Sequence, residues 1–262
     1  MTEERHDGGW RVDRRDRNGE AWLSAPPAPP PGEGGPDVDH RVAVVRAAVE
    51  AAAADGVTAV HWEGEDDDVD TFEEVARRAG LDRVRDILRL ERSLPMPPEA
   101  RAGLPTLAVR PLRPGTADEA AWVRCNNRTF ADHPDQGRES VATLHAAMGR
   151  PWFDAAGFLL LDGDPPVDEG GDLDGFCWTK VHLARPGRPA AGEIYVIGVD
   201  PDAAGRRLGP ALVLAGLDHM TSIGLTRALL YVDAENAPAR RLYGRLGFES
   251  VAVRRVRSRD VG

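Results

Sequence analysis

The 262-residue chain is long enough for one or two domains, and an apolar share of 42% is sufficient for a hydrophobic core. Its formal charge of −10 argues against a nucleic-acid partner, because binding to phosphates requires a basic face. The two cysteines, Cys125 and Cys177, form neither a zinc-ligand pattern nor a disulfide framework, so we expect no metal. The sequence has no signal-peptide core and no apolar run of the roughly 18 residues that span a membrane. We therefore expect a cytoplasmic protein without membrane association.

The first 36 residues are rich in arginine, aspartate, glycine and proline, and they include the run PPAPPP at Pro26–Pro31. Such a composition buries too little apolar surface to fold, so the sequence predicts a disordered leader over residues 1–36. An apolar strand in Gly56–Trp62 and a helix over Val69–Ala79 follow. The proline-rich stretch Leu94–Pro105 predicts a linker, because clustered prolines stay extended and continue neither a helix nor a strand.

We place the domain boundary in this linker, at 96–106, between a first domain at 37–95 and a second at 107–262. The second domain is predicted to contain strand Leu107–Leu112, helix Ala117–Thr129, helix Glu139–Met148, strands Phe158–Asp162, Phe176–His182 and Glu193–Val199, helix Pro210–Ile223, strand Ala228–Val232, helix Ala237–Leu246 and strand Glu249–Val256. Strands come first, and strands and helices then alternate. This order predicts an α/β (α+β) fold with a mixed, mostly antiparallel central sheet flanked by helices.

The stretch Glu193–Gly209, EIYVIGVDPDAAGRRLG, leads from an apolar strand through a glycine-containing turn into a helix. A helix start has unpaired N–H groups and a partial positive charge, which together suit a diphosphate. Gly205 and Gly209 let the backbone approach phosphate oxygens, and the two arginines between them add positive charge. Pro210, which has no N–H, suits the first helical position. The pattern alone also fits an ordinary strand-to-helix connection.

A second segment, Leu229–Phe248, contains an apolar strand, a turn and a short helix. Asn236 opens the turn with a side chain that caps helices well. One helix face is formed, at helical spacing, by Ala239, Leu242, Tyr243 and Leu246. On periodicity alone, Tyr243 fits a half-buried core aromatic as well as a functional residue.

The two segments together resemble the acetyl-CoA-dependent N-acetyltransferase (GNAT) superfamily. Its second segment, N-x-x-A-x-x-x-Y-x-x-x-G-F, is matched here by Asn236, Ala239, Tyr243, Gly247 and Phe248. Within the superfamily, residues 107–256 resemble the mycothiol synthases through CNNRTFADHPDQG (Cys125–Gly137), PWFD (Pro151–Asp154), GFCWTKVH (Gly175–His182) and GEIYVIGVDP (Gly192–Pro201). The pyrophosphate loop, usually Q/R-x-x-G-x-G/A, departs from that pattern, with Ala204 where glutamine is usual and Arg207 where glycine is usual.

The resemblance implies the acyl-CoA N-acyltransferase fold for residues 107–262, and a partial copy of the same fold in residues 37–95. It also implies acetyl-CoA as co-substrate and a strand before the loop that separates from its neighbour to pair with the pantetheine arm. The residues that the resemblance places against acetyl-CoA are Ile197, Gly198, Val199, Ala204, Gly205, Arg206, Arg207, Leu208, Gly209, Asn236, Ala239, Arg240 and Arg241.

Two residues are expected to carry the chemistry. Glu193 begins the cofactor strand and is expected to receive the proton of the acceptor amine, while Tyr243 is expected to protonate the departing thiolate. The alternative for Glu193 is an exposed charge at a strand end. The resemblance further implies that the acceptor contacts Asp135, Lys180, Glu193 and Tyr231, although each of these residues, taken alone, also fits a structural role.

The function implied by the resemblance is acetylation of the glucosamine amine of desacetylmycothiol, a small molecule, by a monomeric enzyme without a covalent enzyme intermediate. One alternative keeps the chemistry and changes the acceptor to another small amine or a protein N-terminus. A second alternative is a non-catalytic module that binds acyl-CoA. Ala204 and Arg207 favour this module, whereas the presence of Glu193 and Tyr243 favours an enzyme.

Overall fold

The computed structural model describes residues 12–17, 19–24, 37–64, 69–132, 136–185 and 187–262. Its strands are β1 (Asp13–Arg17), β2 (Glu20–Ser24), β3 (Ala59–Gly64), β4 (Asp82–Ser93), β5 (Arg110–Pro111), β6 (Phe158–Asp162), β7 (Leu173–His182), β8 (Ala191–Val199), β9 (Arg227–Asp233) and β10 (Glu249–Asp260). Its helices are α1 (Val38–Ala54), α2 (Val69–Ala79), α3 (Pro98–Arg101), α4 (Ala117–Thr129), α5 (Val141–Met148), α6 (Leu208–Ser222) and α7 (Ala237–Arg245). The chain divides into two compact units.

The first unit comprises residues 1–89, 232–237 and 250–262. Its strand order is β1-β2-β3-β10-β4, in which β2 and β3 run parallel while β1 with β2, and β3 with β10, run antiparallel. Helices α1 and α2 form one apolar core together with strands β2 and β3. Within this core the rings of Trp62 and Phe72 stack with their centroids 4.2 Å apart.

The hairpin of β1 and β2 corrects the prediction that residues 1–36 form a disordered leader. The two strands pair antiparallel over their whole lengths. Between them the sequence is Asn18-Gly19, a dipeptide that favours tight hairpin turns, and Gly19 has a φ of 81°. Ala21 and Leu23 are completely buried at alternate positions of β2. Charged neighbours concealed this short alternation in the sequence; the rest of the leader lies outside the described residues.

The second unit comprises residues 90–231 and 238–249. Its strand order is β4-β9-β8-β7-β6-β5, with an antiparallel succession from β5 to β8 and a parallel pairing of β8 with β9. This topology confirms the predicted mixed, mostly antiparallel sheet. It also explains the strand pattern of the sequence, because consecutive strands β6, β7 and β8 are neighbours.

The two faces of this sheet have different neighbours. One face carries Phe176 and Trp178, whose rings lie 5.7 and 5.8 Å from that of Trp122 in α4. The other face carries Cys177 and packs against α6, where a β-carbon added at Gly216 would lie 2.7 Å from the Cys177 sulfur. Glycine at that position therefore lets the helix approach the sheet closely.

Most predicted elements of the second half are present, and α4 and β6 have the predicted bounds. Helix α4 begins where expected because the side chain of Thr116 caps it. The strand predicted at Leu107–Leu112 is wrong in extent, since only the dipeptide β5 pairs with β6. Pro111, within the predicted strand, lacks the N–H donor that a longer ladder would need.

Helix α6 begins at Leu208, before the predicted start at Pro210. Pro210 is therefore the third helical residue and not the first. The helix accommodates proline there because the N–H groups of a first turn have no acceptor within the helix.

The compact units differ from the predicted domains. The boundary between the units falls within β4, and most of β10 belongs to the first unit. The predicted linker at 96–106 contains α3, whose Arg101 forms an ion pair of 2.6 Å with Asp218. A division into a partial copy at 37–95 and a catalytic copy at 107–262 stays a prediction.

Two features are absent from the part of the chain that the structure describes. None of its helices is both long enough and apolar enough to cross a membrane. Over the same residues, no group of three or more His, Cys, Asp or Glu side chains is arranged to hold a metal ion.

Asp118, near the start of α4, is completely buried and binds two arginines. Its carboxylate accepts hydrogen bonds of 2.7–2.9 Å from the guanidinium groups of Arg110 and Arg113. Burial alone would raise the pKa of this carboxyl, but the hydrogen bonds from Arg113 and Arg110 hold it well below its usual range. The arginines also pair with Asp162 and Asp168, at 2.6 and 2.7 Å. The cluster therefore ties the start of α4 to β5, to the end of β6 and to the segment that follows β6.

Asp118→Asn is expected to lower the free energy of unfolding by about 3 kcal/mol, because it leaves arginine charge without its buried counter-ion. Urea unfolding at neutral pH measures this change. The pKa of the Asp118 carboxyl in the folded state lies below the ordinary value of about 3.9. Its contribution to the free energy of unfolding is therefore complete at neutral pH and is lost as the pH falls below about 4. Asp168→Asn, at a mostly exposed partner, is the control and should lower the free energy of unfolding much less. Equal losses for the two variants would contradict this account.

Candidate active site

Strand β8 changes its pairing on both sides at nearly the same place. Its register against β7 shifts by one residue between Ile194 and Val196, which makes a β-bulge at Tyr195. Its parallel ladder with β9 ends at Ile194, so the described residues of β8 beyond that point are not paired with β9. This edge of β8 contains Ile197 and Val199, the two residues at which the resemblance predicts pairing with pantetheine.

The turn after β8 enters α6 through Arg207, whose φ of 58° lies in the left-handed region. Among the described residues, Arg207 is the one non-glycine residue with this conformation. It occupies the position at which the resemblance expects glycine. The loop therefore has a glycine-type backbone geometry at a residue that is not glycine, which carries a conformational cost.

Helix α6 begins without a capping side chain and without an acidic residue in its first turn. By contrast, α4 is capped by Thr116 and carries Asp118 and Glu119 in its first turn. The partial positive charge at the start of α6 is thus not neutralised locally, which suits an anionic ligand. A β-carbon added at Gly205 or Gly209 would meet no heavy atom within 4 Å, so the loop has open space beside it.

The other residues predicted to hold acetyl-CoA differ in their surroundings. Arg206 donates to Asp174 at 2.5 Å, so its charge is balanced within the chain. Gly198 is buried, and a β-carbon there would lie 2.7 Å from the ring of Phe176, so packing alone requires glycine. At the surface lie Ala204, Asn236, Arg240 and Arg241, whereas Ala239 is half-buried and Leu208 is buried. Binding of acetyl-CoA by these residues stays a prediction.

Arg207→Gly is expected to stabilise the protein by up to about 1 kcal/mol, because glycine adopts the left-handed conformation without steric strain. The greater freedom of glycine in the unfolded chain offsets part of this gain. Thermal unfolding measures the change. Arg206→Gly is the matched control. It removes the ion pair with Asp174 and relieves no backbone strain, so it should not raise the midpoint of thermal unfolding. A lower midpoint for Arg207→Gly than for the parent would contradict the prediction.

Glu193 is buried on β8, with 6% of its surface exposed. One of its carboxylate oxygens, Oε2, lies 2.5 Å from Nε2 of His182 and 3.7 Å from Nζ of Lys180. Lys180 is directly opposite Glu193 across the ladder, and His182 is a diagonal neighbour on the same face. Glu193 is therefore not an exposed strand-end charge; it is a buried carboxylate in contact with two basic groups.

Two aromatic rings surround the ammonium group of Lys180. Its Nζ lies 5.0 Å from the ring centroids of both Trp152 and Tyr195, within the range of cation–π attraction. The two rings are 5.0 Å from each other, and each also contacts Trp178, at 5.7 and 5.4 Å. Tyr195 is 39% exposed, so this aromatic cluster borders solvent.

Tyr231 lies on β9, one residue beyond the end of its ladder with β8. Leu229 is opposite Glu193, and residues two apart on a strand share a face, so Tyr231 belongs to the face of Glu193. Lys180 is on this face as well. Three of the four residues predicted to contact the acceptor are thus brought together on one face, while Asp135 lies outside the described residues.

Tyr243, on α7, is buried with 7% of its surface exposed. Burial raises the pKa of its phenol to about 12, and the nearby Cys177 adds to this increase. The phenol therefore keeps its proton at neutral pH. Cys177 is on the sheet face opposite that of Glu193.

Sequence reasoning missed three residues of this site: His182, Trp152 and Tyr195. His182 had a usable signal, because it ends the motif GFCWTKVH and alternates with Trp178 and Lys180. The positions of Trp152 and Tyr195 depend on a loop contact and on the bulge, for which the sequence carries no local signal.

Comparisons of the sequence and of the fold with known proteins identify the class of this protein. The model of the Acetyltransferase (GNAT) family matches residues 122–248. A solved structure described as a tandem GNAT protein from the clavulanic acid biosynthesis pathway aligns with a TM-score of 0.66 at 17% identity, over 98% of this chain and 81% of that chain. The structural similarity shows the fold. It confirms the predicted mixed sheet of the acyltransferase type, with a second partial copy of that fold.

Two relatives narrow the class. The mycothiol acetyltransferase of Salinispora arenicola is 51% identical over 174 residues, which are 64% of this chain and 53% of that protein. The mycothiol acetyltransferase of Kocuria rhizophila is 40% identical over 214 residues, or 80% of this chain and 68% of that protein. The chain belongs to the mycothiol acetyltransferase family within the GNAT acetyltransferases. It spans about half the length of most curated relatives that it matches.

Proposed function

We propose that the chain is an acetyl-CoA-dependent N-acetyltransferase that acetylates a free amine of desacetylmycothiol. The observation that carries this proposal is the buried carboxylate of Glu193 against His182 and Lys180, beside the end of the ladder between β8 and β9. The names of the two relatives supply the acceptor. The proposal includes a small-molecule acceptor and a monomeric protein that works in the cytoplasm.

The features around the end of β8 fit acetyl-CoA. The uncapped start of α6, with the neighbouring Arg207, suits the diphosphate. The edge of β8 beyond Ile194 suits the amides of the pantetheine arm, which would pair with it as an added strand. A ligand held at both places has its thioester near the bulge at Tyr195.

The residues around that point supply the two proton transfers that the reaction needs. Glu193 takes the proton of the acceptor amine, directly or through a water, and Tyr243 donates to the departing thiolate. The amine adds to the carbonyl carbon to give a tetrahedral intermediate, and the sulfur departs when that intermediate collapses, so the reaction needs a base at the nitrogen and an acid at the sulfur. A backbone N–H near Ile197 would stabilise the developing negative charge on the carbonyl oxygen.

The face that carries Glu193 also offers groups for a polyol acceptor. Lys180 and Tyr231 hydrogen-bond hydroxyl groups, and Asp135 is expected to do the same. The rings of Trp152 and Tyr195 add a flat apolar surface next to Lys180. This combination of a few polar groups with aromatic walls suits a small sugar-containing amine.

The test is CoA release by the purified protein with acetyl-CoA and desacetylmycothiol, in parallel with glucosamine, other small amines and peptides with free N-termini. Turnover confined to desacetylmycothiol supports the proposal. Turnover only with other amines or peptides keeps the acetyl transfer and overturns the acceptor. Binding of CoA without turnover on any acceptor supports a non-catalytic acyl-CoA-binding module.

A further inference from the structure

Acetylation of an amine releases a proton that has to leave a buried site. The acceptor enters as an ammonium ion, R–NH3⁺, and loses two protons when the carbon–nitrogen bond forms and the carbon–sulfur bond breaks. One proton equivalent ends on the CoA sulfur through Tyr243, and the other has to reach solvent in every turnover. Under the proposed function, that proton starts on Glu193, whose side chain is 8% exposed.

The described contacts of Glu193 offer two neighbours toward solvent. Lys180 lies 3.7 Å away with a side chain that is 23% exposed, but a protonated ammonium has three donors and no lone pair with which to accept a proton. His182 lies 2.5 Å away, and its side chain is 40% exposed. A neutral imidazole accepts a proton on one nitrogen and releases one from the other.

We infer that His182 is the proton relay that connects Glu193 with solvent. The protonated carboxyl of Glu193 passes its proton to Nε2, and the half-exposed ring passes a proton from Nδ1 to water. Exchange of the ring tautomer through solvent then restores the starting state. His182 acts through Glu193 and so is a positioning residue of the site. This inference rests on the proposed acetyl transfer.

A second histidine–glutamate pair in the chain provides a contrast. His145 lies 2.8 Å from Glu119, but Glu119 also accepts the backbone N–H of Gly115 at 2.8 Å, which is a structural role at the start of α4. This pair lies on helices α4 and α5 and not on β7 and β8. It is a matched control for the chemistry of a histidine that contacts a buried carboxylate.

The relay is tested by the rate of CoA release in dilute buffer with His182→Gln and His182→Ala, using the acceptor that the parent protein turns over. Both variants should lower kcat at least about 10-fold and leave KM for acetyl-CoA unchanged. Added imidazole should restore the rate of His182→Ala in proportion to its concentration, because a diffusing base replaces the missing ring. His145→Gln should have the parent rate, and imidazole should not change it.

A residue that only supports the fold would give other results. If the variants lose activity and imidazole restores none of it, or if they keep the parent rate in dilute buffer, the relay is overturned while the acetyltransferase stands. A parent protein that releases no CoA with any acceptor overturns both. Thermal unfolding of each variant shows whether a lost rate reflects a lost fold, and the half-exposed ring predicts little change.

Discussion

Glu193→Gln is expected to lower kcat/KM for the acceptor by about 10²- to 10⁴-fold, the usual contribution of a positioned general base. The amide has the size of the carboxylate but accepts no proton from an ammonium ion. Binding of acetyl-CoA should persist, because the loop and the start of α6 that suit the diphosphate are unchanged. Steady-state kinetics of CoA release and calorimetric titration with acetyl-CoA measure the two effects separately.

Glu119→Gln is the matched control for this variant. Glu119 is also buried, at 7% exposure, and it also contacts a histidine, His145. Its replacement should affect stability and leave kcat unchanged. If Glu193→Gln retained the parent rate, or if both glutamine variants lost the same activity, Glu193 would not be the base.

Tyr243→Phe is expected to lower kcat by about 10²-fold or more with acetyl-CoA binding retained. The substitution removes one oxygen from a buried side chain, whose ring still packs against Phe248 at 5.8 Å. Without the phenol, the thiolate leaves unprotonated, which raises the barrier for breaking the carbon–sulfur bond. Kinetics together with a binding titration measure the loss.

The pH profile gives a second test of Tyr243. Because its phenol has a pKa of about 12, the parent protein should show no loss of activity from tyrosine ionisation between pH 7 and about 10. A falling rate in this range that disappears in Tyr243→Phe would mean that the phenol ionises earlier and would contradict the assigned role. Loss of acetyl-CoA binding in Tyr243→Phe would instead indicate a role in the ligand site.

Local chemistry explains which elements could be predicted from the sequence. Helix α4 was predicted with its bounds because Thr116 caps it and its apolar residues recur at helical spacing. Strand β5 was overestimated because an apolar stretch was given more weight than its proline, Pro111. The leader was underestimated because composition was given more weight than the Asn18-Gly19 turn.

The site was predictable in its residue types and less so in its geometry. Glu193 and Tyr243 follow from motifs, but the contact of Glu193 with His182 depends on which residues of β7 and β8 face each other. Register is a tertiary property, set by packing on both faces and by the bulge. The same holds for the left-handed Arg207, since a sequence shows that glycine is missing but not that the backbone keeps its shape.

The bulge at Tyr195 gives strand β8 one residue more than its pairing with β7 needs. Deleting that residue would restore regular alternation, and the side chains from Val196 to Val199 would keep their present faces. Gly198 would therefore stay against Phe176, and the loss would fall on the aromatic ring that contacts Lys180. Homologous proteins that lack the extra residue should therefore keep the packing of this strand and lose one ring of the aromatic cluster.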